Sequence, residues 1–409
     1  MRDQREFDVI AYGASSFVGQ ILARYLAAHP AHQSLRWAIA GRSEAKLRTL
    51  RNSLGDSARD IPILLADASD AAGLHALAAR TRVLISTVGP YAIHGEPVLA
   101  ACVESGTDYC DLTGETQWIA RMLQRYEVRA QQTGARIVHC CGFDSIPSDM
   151  GVWFLQNEAR ARFGHPLPRV KMRVRAAKGG FSGGTVASLL NVIEEAQRDP
   201  ALRKQLGDPY LISPALTDRP PRQPDVRGAV FDKDFNAWTA PFVMAAINTR
   251  VVQRSHALGH GAYGPNFRYD EGVLTGRGLK GRLAATGTTL GLGGFMLASA
   301  FAPTRKLLQR FALPAPGEGP SPQQQAQGFF DLRFIGKDDA GHVLRAKVSG
   351  DRDPGYGFTG RMLGEAAACL ALDVPEAAAG GFWTPSTLLG DALLKRLRDH
   401  AQMGFEVLS

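Results

Sequence analysis

Through the first third of the chain, short apolar runs alternate with helical stretches. Phe7–Tyr12 reads as a buried strand, and a turn of small residues then leads into a helical pattern from Val18 to His29 that Pro30 ends. Trp37–Ala40 reads as a second strand closing on Gly41 and Arg42, after which Ser43 can cap a helix through Leu47 and Leu50. The same reading predicts strands at Ile61–Ala66, Val83–Thr87, Asp108–Leu112 and Arg136–Cys140, with helices at Leu74–Ala79 and Val98–Ser105. Strands and helices alternating at this spacing predict an α/β fold with a parallel, doubly wound sheet.

The rhythm changes after Pro147. Val170–Arg175 alternates apolar and basic residues, the period of a sheet with one wet face. Leu332–Ile335 and Val343–Val348 read as a hairpin, helical patterns cover Val186–Gln197 and Pro241–Val252, and Pro-rich loops occupy Arg219–Pro224 and Pro314–Pro322. These predict an inserted α+β domain on a mainly antiparallel sheet. The tail, Thr384–Gln402, reads as an amphipathic helix. The expected units are therefore 1–147, 148–375 and 376–409, the last a helix returning to the first domain.

Composition excludes whole classes. With 409 residues, 45% apolar and 21% charged, the chain is neither disordered, collagen-like nor disulfide-stapled. Five cysteines without CxxC spacing predict neither a disulfide framework nor a zinc site, so no metal is expected. The polar N-terminus predicts no signal peptide, and a cytoplasmic setting follows. Net charge is +8, but its distribution says more: residues 151–375 carry 29 Lys and Arg against 19 Asp and Glu, whereas residues 1–150 are near neutral. The surplus suits an anionic ligand, carrier or membrane surface, and no nucleic-acid signature accompanies it.

The first strand runs into Gly13-Ala14-Ser15-Ser16-Phe17-Val18-Gly19 and then a helix. Small residues let a backbone approach a pyrophosphate, and a helix N-terminus offers unpaired N–H groups. The second strand ends in Gly41-Arg42-Ser43 with Lys46 one turn later, where an NAD-binding chain carries an acid for the ribose 2′-OH. Arginine and lysine pair with a 2′-phosphate instead, so the expected cofactor is NADP(H). Asp67 is the candidate for the adenine edge. Thr87, Val88, Gly89 and Pro90 follow the fourth strand, where the crevice takes the nicotinamide half.

Two more strand ends open into that crevice, Asp111–Glu115 and Cys141–Asp149. Hydride transfer needs a proton source near the substrate, and position makes Tyr91, His94, Asp111, His139, Asp144 and Tyr356 available. Tyr91, Asp111 and Asp144 are the candidate catalytic groups. Gly179–Thr185 could bind an anion, and Gly350–Gly357 reads as a tight turn. Leu283–Thr304 is 22 residues without a charge, bracketed by Lys280, Arg282, Arg305, Lys306 and Arg310, and long enough to span a bilayer. Its glycines and threonines fit a buried, substrate-lining or lipid-facing segment better than a membrane span.

In order, GASSFVG, AGRS, STVGPY, YCDLTGE, GFDSIPSD, SGGT, GDPYLISP, PFVMAAINTRVV, PGEGPS, GDRDPGYG and WTPSTLLGDAL resemble the saccharopine-dehydrogenase-like oxidoreductases, in the branch called trans-acting enoyl reductases. The similarity spans Phe7 to the C-terminus. It implies a Rossmann domain binding NADP(H), an inserted substrate domain and a returning C-terminal helix. By position, Gly13, Ser15, Phe17, Val18 and Gly19 fall in the phosphate turn and Arg42 at the adenosine phosphate; Ser16 departs from the glycine often found there. The implied activity is reduction of a carbon–carbon double bond in a fatty-acyl or polyketide-like precursor. Expected partners are a lipid substrate on an acyl carrier or coenzyme A, a peripheral membrane contact through Leu283–Thr304, and a second copy of the chain. An imine- or amino-acid-type reductase akin to saccharopine reductase and a low-turnover cofactor-binding lipid-surface protein are the alternatives.

Overall fold

The computed structural model of the protein describes residues 4–180, 183–216, 220–311 and 318–409. In chain order the strands are β1 (Phe7–Tyr12), β2 (Trp37–Gly41), β3 (Ile63–Leu65), β4 (Thr81–Ser86), β5 (Asp108–Asp111), β6 (Arg136–Val138) and β7 (Arg169–Lys178). They continue as β8 (Val230–Asp232), β9 (Ala237–Ala240), β10 (Arg268–Gly276), β11 (Phe329–Lys337), β12 (Val343–Gly350), β13 (Gly381–Trp383) and β14 (Gly404–Leu408).

The first sheet is all parallel in the order β13-β6-β5-β4-β1-β2-β3, so its first six strands have the Rossmann order with one strand added at the β6 edge. Period-two alternation along β1 builds both faces. Val9 and Ala11 pack with Leu22, Leu47 and Leu363 on one side, while Ile10 and Tyr12 pack with Leu74, Val98 and Trp118 on the other. The helix Tyr91–Ser105 starts well before the predicted Val98. Gly95 and Pro97 hide its periodicity, and a β-carbon at Gly95 would sit 2.7 Å from the Trp118 ring.

The second sheet runs β14-β12-β11-β7-β10-β9-β8 and is antiparallel except for the β7–β10 pair, as the sequence predicted for this domain. The wet face expected of β7 is wet only in part. Arg173 is buried, its Nη2 lying 2.7 Å from Asp232 Oδ2 and 2.6 Å from Asp270 Oδ1. A guanidinium can be buried there because two carboxylates meet it, Asp270 from the adjacent β10 and Asp232 from the edge strand β8.

The predicted boundaries cut across the packing. The helix Thr359–Leu372, inside the expected 148–375 unit, lies on β1, β4 and β5 against the helix Phe17–Ala28, and so completes the first domain. The tail is more than a returning helix: β13 joins the first sheet, the helix Gly390–Asp399 packs on Thr359–Leu372, and β14 ends in the second sheet. Strands this short carry no legible alternation, and their pairing partners lie far away in sequence. Of the Pro-rich loops, Arg219 and Pro314–Gly317 lie outside the described residues. Most of the uncharged run falls in the helix Gly278–Ala300, of which only Gly281, Ala285 and Ser299 are buried, so the reading of a buried segment does not hold.

Arg173→Ala would strip two buried carboxylates of their shared cation. A loss of about 3–5 kcal/mol is expected, read as a lower urea midpoint at an unchanged m value.

Candidate active site

The phosphate turn is built by three contacts. Gly13 has φ of +81°, and a β-carbon there would meet Val88 Cγ2 at 2.5 Å, so glycine is required twice over. Ser16 caps the helix Phe17–Ala28: its Oγ accepts from Gly19 N at 3.0 Å and donates to Thr87 Oγ1 at 3.0 Å. The Thr87 hydroxyl in turn donates to the Gly13 carbonyl at 2.9 Å. The serine that departs from the glycine pattern thus ties the turn to the end of β4. Among the described residues the amides of Ser15, Phe17 and Val18 have no partner, which is the donor set a pyrophosphate takes at a helix N-terminus. The Phe17 ring points away, edge-on to Tyr356 at 5.2 Å, and the Val18 side chain packs into the core.

At the other end of the crevice Arg42 and Lys46 are exposed and make no side-chain hydrogen bond or ion pair among the described residues. Ser43 caps the helix Glu44–Asn52, accepting from Lys46 N. Glu44, the nearest acid in sequence, is held by Arg48 at 2.6 Å. Asp67 Oδ1 accepts from Ser69 N at 2.9 Å and from the Ser69 hydroxyl at 2.7 Å, which with the field of Arg42 holds the carboxyl below its usual range. Burial and the Asp67 charge push Tyr12 up to about 12, so it stays neutral. The residues fit NADP(H): among the described residues there are unpartnered amides for the pyrophosphate and unpartnered cations for the 2′-phosphate.

The carboxyl ends of β4, β5 and β6 form the third part of the site. Asp111 is buried and fully engaged: Oδ1 accepts from Thr113 N and Cys140 N at 3.1 and 3.2 Å, and Oδ2 meets His139 Nδ1 at 2.7 Å. Tyr91 is buried too, its hydroxyl donating to the Ser86 carbonyl at 2.8 Å while Leu112 N donates to it at 3.4 Å. Burial and the Asp111 charge raise its pKa well above the ordinary tyrosine value. Both candidates therefore hold the crevice together instead of presenting a proton to it, because packing beneath the strand ends has taken their polar atoms.

Asp144 differs from both. It keeps part of its surface open, has no hydrogen-bond or ion-pair partner among the described residues, and is pushed up to about 7 by desolvation. A β-carbon at Gly114 would stand 3.3 Å from Asp144 Oδ2, so glycine leaves the carboxyl its clearance. The next residue, Ser145, has φ of +101°, and its hydroxyl donates to Asn248 Oδ1 at 3.0 Å. Asn248 Nδ2 donates to Glu271 Oε2 at 2.9 Å, and Tyr269 to Glu271 Oε1 at 2.7 Å. The Asp144 loop is thereby strung to the second domain through a buried chain that no sequence pattern announces.

A second missed residue is Glu115. Its carboxylate accepts from Tyr91 N at 2.8 Å and Ala92 N at 2.9 Å at the start of one helix, and from Ser188 Oγ at 2.8 Å on the helix Gly183–Arg198 of the other domain. Of the Gly179–Thr185 loop, Phe181 and Ser182 lie outside the described residues. Gly180 N donates to Asp353 Oδ1 at 3.4 Å and Thr185 Oγ1 bonds Tyr356 at 2.9 Å, which commits both to structure. Gly355 N also donates to Asp353, closing the turn read at Gly350–Gly357. His94 is exposed. Further along the Asn248 helix, a cavity of about 750 Å3 is lined by Tyr210, Leu216, Gln253, His256 and Phe267. Asp208 also lines it, and burial lowers His256 to about 4, so that imidazole is neutral at neutral pH.

Arg42→Ala should weaken NADPH by about 10- to 100-fold, the worth of a charge-assisted hydrogen bond at 1.4 kcal/mol per decade. NADH affinity should be unchanged, and fluorescence titration with both cofactors separates the two outcomes.

Comparison with known proteins agrees with this geometry. The family profile described as the saccharopine dehydrogenase NADP binding domain matches residues 9–138. The chain is 43% identical over 403 residues to a Mycobacterium tuberculosis protein named as a trans-acting enoyl reductase, covering 96% of each chain. It is 37% identical over 405 residues to the trans-acting enoyl reductase of Mycobacterium ulcerans, again 96% of each. Among solved structures, apo saccharopine dehydrogenase (L-Glu forming) from Saccharomyces cerevisiae aligns over 98% of this chain and 100% of its own with a TM-score of 0.54 at 13% identity, a likeness of fold. The chain therefore belongs to the saccharopine-dehydrogenase-like oxidoreductases, in the trans-acting enoyl reductase group, and is an NADP(H)-dependent oxidoreductase.

Proposed function

We propose that this oxidoreductase saturates the carbon–carbon double bond of a lipid-like acyl thioester, with Asp144 as the proton donor. The names of the full-length relatives support the reaction class. The observation that carries the donor is Asp144 itself, a desolvated carboxyl with a pKa pushed up to about 7 and no partner among the described residues. When bound, NADPH supplies a hydride to the β-carbon of the enoyl group. The α-carbon, next to the thioester carbonyl, must then take a proton.

A carboxyl at its ordinary value would be ionised at neutral pH and have none to give. Asp144 is about half protonated there, which places it in the range a general acid needs. Its partial exposure lets it be reprotonated from solvent after each turnover. The Ser145–Asn248–Glu271 chain fixes its loop against the second domain, and Glu115 joins Tyr91 and Ser188 across the same joint. Tyr91 and Asp111 act as positioning residues in this scheme, their polar atoms holding the strand-end loops in register.

Asp144→Asn should reduce kcat with an enoyl thioester by about 10²–10⁴-fold while leaving NADPH binding intact. For the unaltered protein kcat should fall as pH rises through about 7, because the donor must be protonated, and the variant should lack that limb. A variant that keeps both rate and limb removes Asp144 from the chemistry. NADPH oxidation with a 2-oxoacid and an amine, but with no enoyl thioester, would instead favour imine reduction.

A further inference from the structure

The helix Gly278–Ala300 is too apolar for the place it occupies. Among the described residues it alone is long and apolar enough to cross a membrane, with a mean hydropathy of 1.3 over its best window, yet only 11% of that window is buried. Leu279, Leu283, Leu290, Met296, Leu297 and Phe301 are between 40% and 70% exposed. At roughly 100° per residue, Leu279, Leu283, Leu290 and Leu297 fall within about 40° of arc, opposite the buried Gly281, Ala285 and Ser299. The helix thus docks on the domain by a stripe of small residues and turns a stripe of leucines to the outside.

Charge completes the pattern. No Asp or Glu occurs between Glu271 and Glu318, whereas Arg277, Lys280, Arg282, Arg305, Lys306 and Arg310 do. Lys280 and Arg282 are exposed and flank the leucine stripe. A second copy of the chain would bring the same acid-free, cationic stretch against this one and be repelled. An anionic lipid surface complements both the leucines and the cations.

Geometry decides between spanning and lying flat. A 23-residue helix is about 34 Å long, so spanning would put its ends on opposite sides of a bilayer. Both ends are instead bonded to the same domain. At the start, Thr275 Oγ1 donates to the Gly281 carbonyl at 2.9 Å and the Arg282 guanidinium lies 5.5 Å from the Trp238 ring centre on β9. At the finish, Gln197 donates to the Ala300 carbonyl and Arg305 pairs with Glu194, both on the helix Gly183–Arg198.

We propose that Gly278–Ala300 is an in-plane anchor that lays the leucine stripe into the headgroup region of an anionic lipid surface. The helix it packs against, Gly183–Arg198, carries the Ser188 that bonds Glu115 at the crevice. The anchor therefore sets the cofactor crevice one helix away from the lipid, on the side from which an acyl chain would arrive. Anchoring does not depend on the identity of the reaction, and its test does not use turnover.

The full chain should co-float with vesicles of equal parts phosphatidylcholine and phosphatidylglycerol, less so as salt rises, and poorly with phosphatidylcholine alone. Leu283→Asp with Leu290→Asp should weaken vesicle binding by about tenfold or more. NADPH titration should be unchanged, since both side chains are exposed and outside the cofactor site. Three results would overturn the proposal: equal flotation of the variant, resistance of the bound protein to alkaline extraction, or a dimer that the variant dissolves while no vesicle is bound at all.

Discussion

A carboxylate taken out of water must be given hydrogen bonds, and Glu115 obtains three, from two different domains. Two come from the opening amides of the helix Tyr91–Ser105, where a negative charge also meets the positive end of the helix dipole. The third comes from Ser188 in the other domain. This one buried charge fixes the loop after β4, on which the phosphate turn leans through Thr87 and Val88, and the helix Gly183–Arg198 against which the exposed apolar helix packs. The rest of the site is arranged around it.

Around that joint, polar groups divide by what surrounds them. Asp111 and Tyr91 are paired beneath the strand ends, so their chemistry is spent on holding the loops. Asp144, in the loop after β6, receives no bond among the described residues, and desolvation acts on it unopposed. Two aspartates at the ends of adjacent strands thus acquire opposite characters from packing alone. Cations divide in the same way: Arg173 is consumed by two buried carboxylates, whereas Arg42 and Lys46 have no ion-pair partner among the described residues.

The two domains are also less separable than a linear reading suggests. The helix Thr359–Leu372 returns to the first sheet after the whole second sheet but its last strand has been laid down, and the tail then supplies one strand to each sheet. The tail strand β13 closes one edge of the first sheet on β6, far back in the chain, and β14 closes one edge of the second on β12. The joint is consequently bridged by backbone as well as side chains, which keeps the strand-end loops and the Gly183–Arg198 helix in one frame.

What the sequence by itself determined lies within short windows. The parallel sheet, the turn from Gly13 to Gly19, the choice of Arg42 over an acid and the acid-free stretch around Leu283–Thr304 are all local patterns, because a strand, a phosphate cradle and a charge distribution are each made by neighbouring residues. What only the tertiary structure decided depends on groups distant in sequence: that Tyr91 and Asp111 are engaged, that Asp144 is left alone, that Glu115 reaches Ser188, that the tail feeds both sheets, and that the apolar helix is exposed with both ends held on one side. Hydrogen bonding and desolvation are set by whatever the fold brings near, and that proximity is written in no single stretch of the chain.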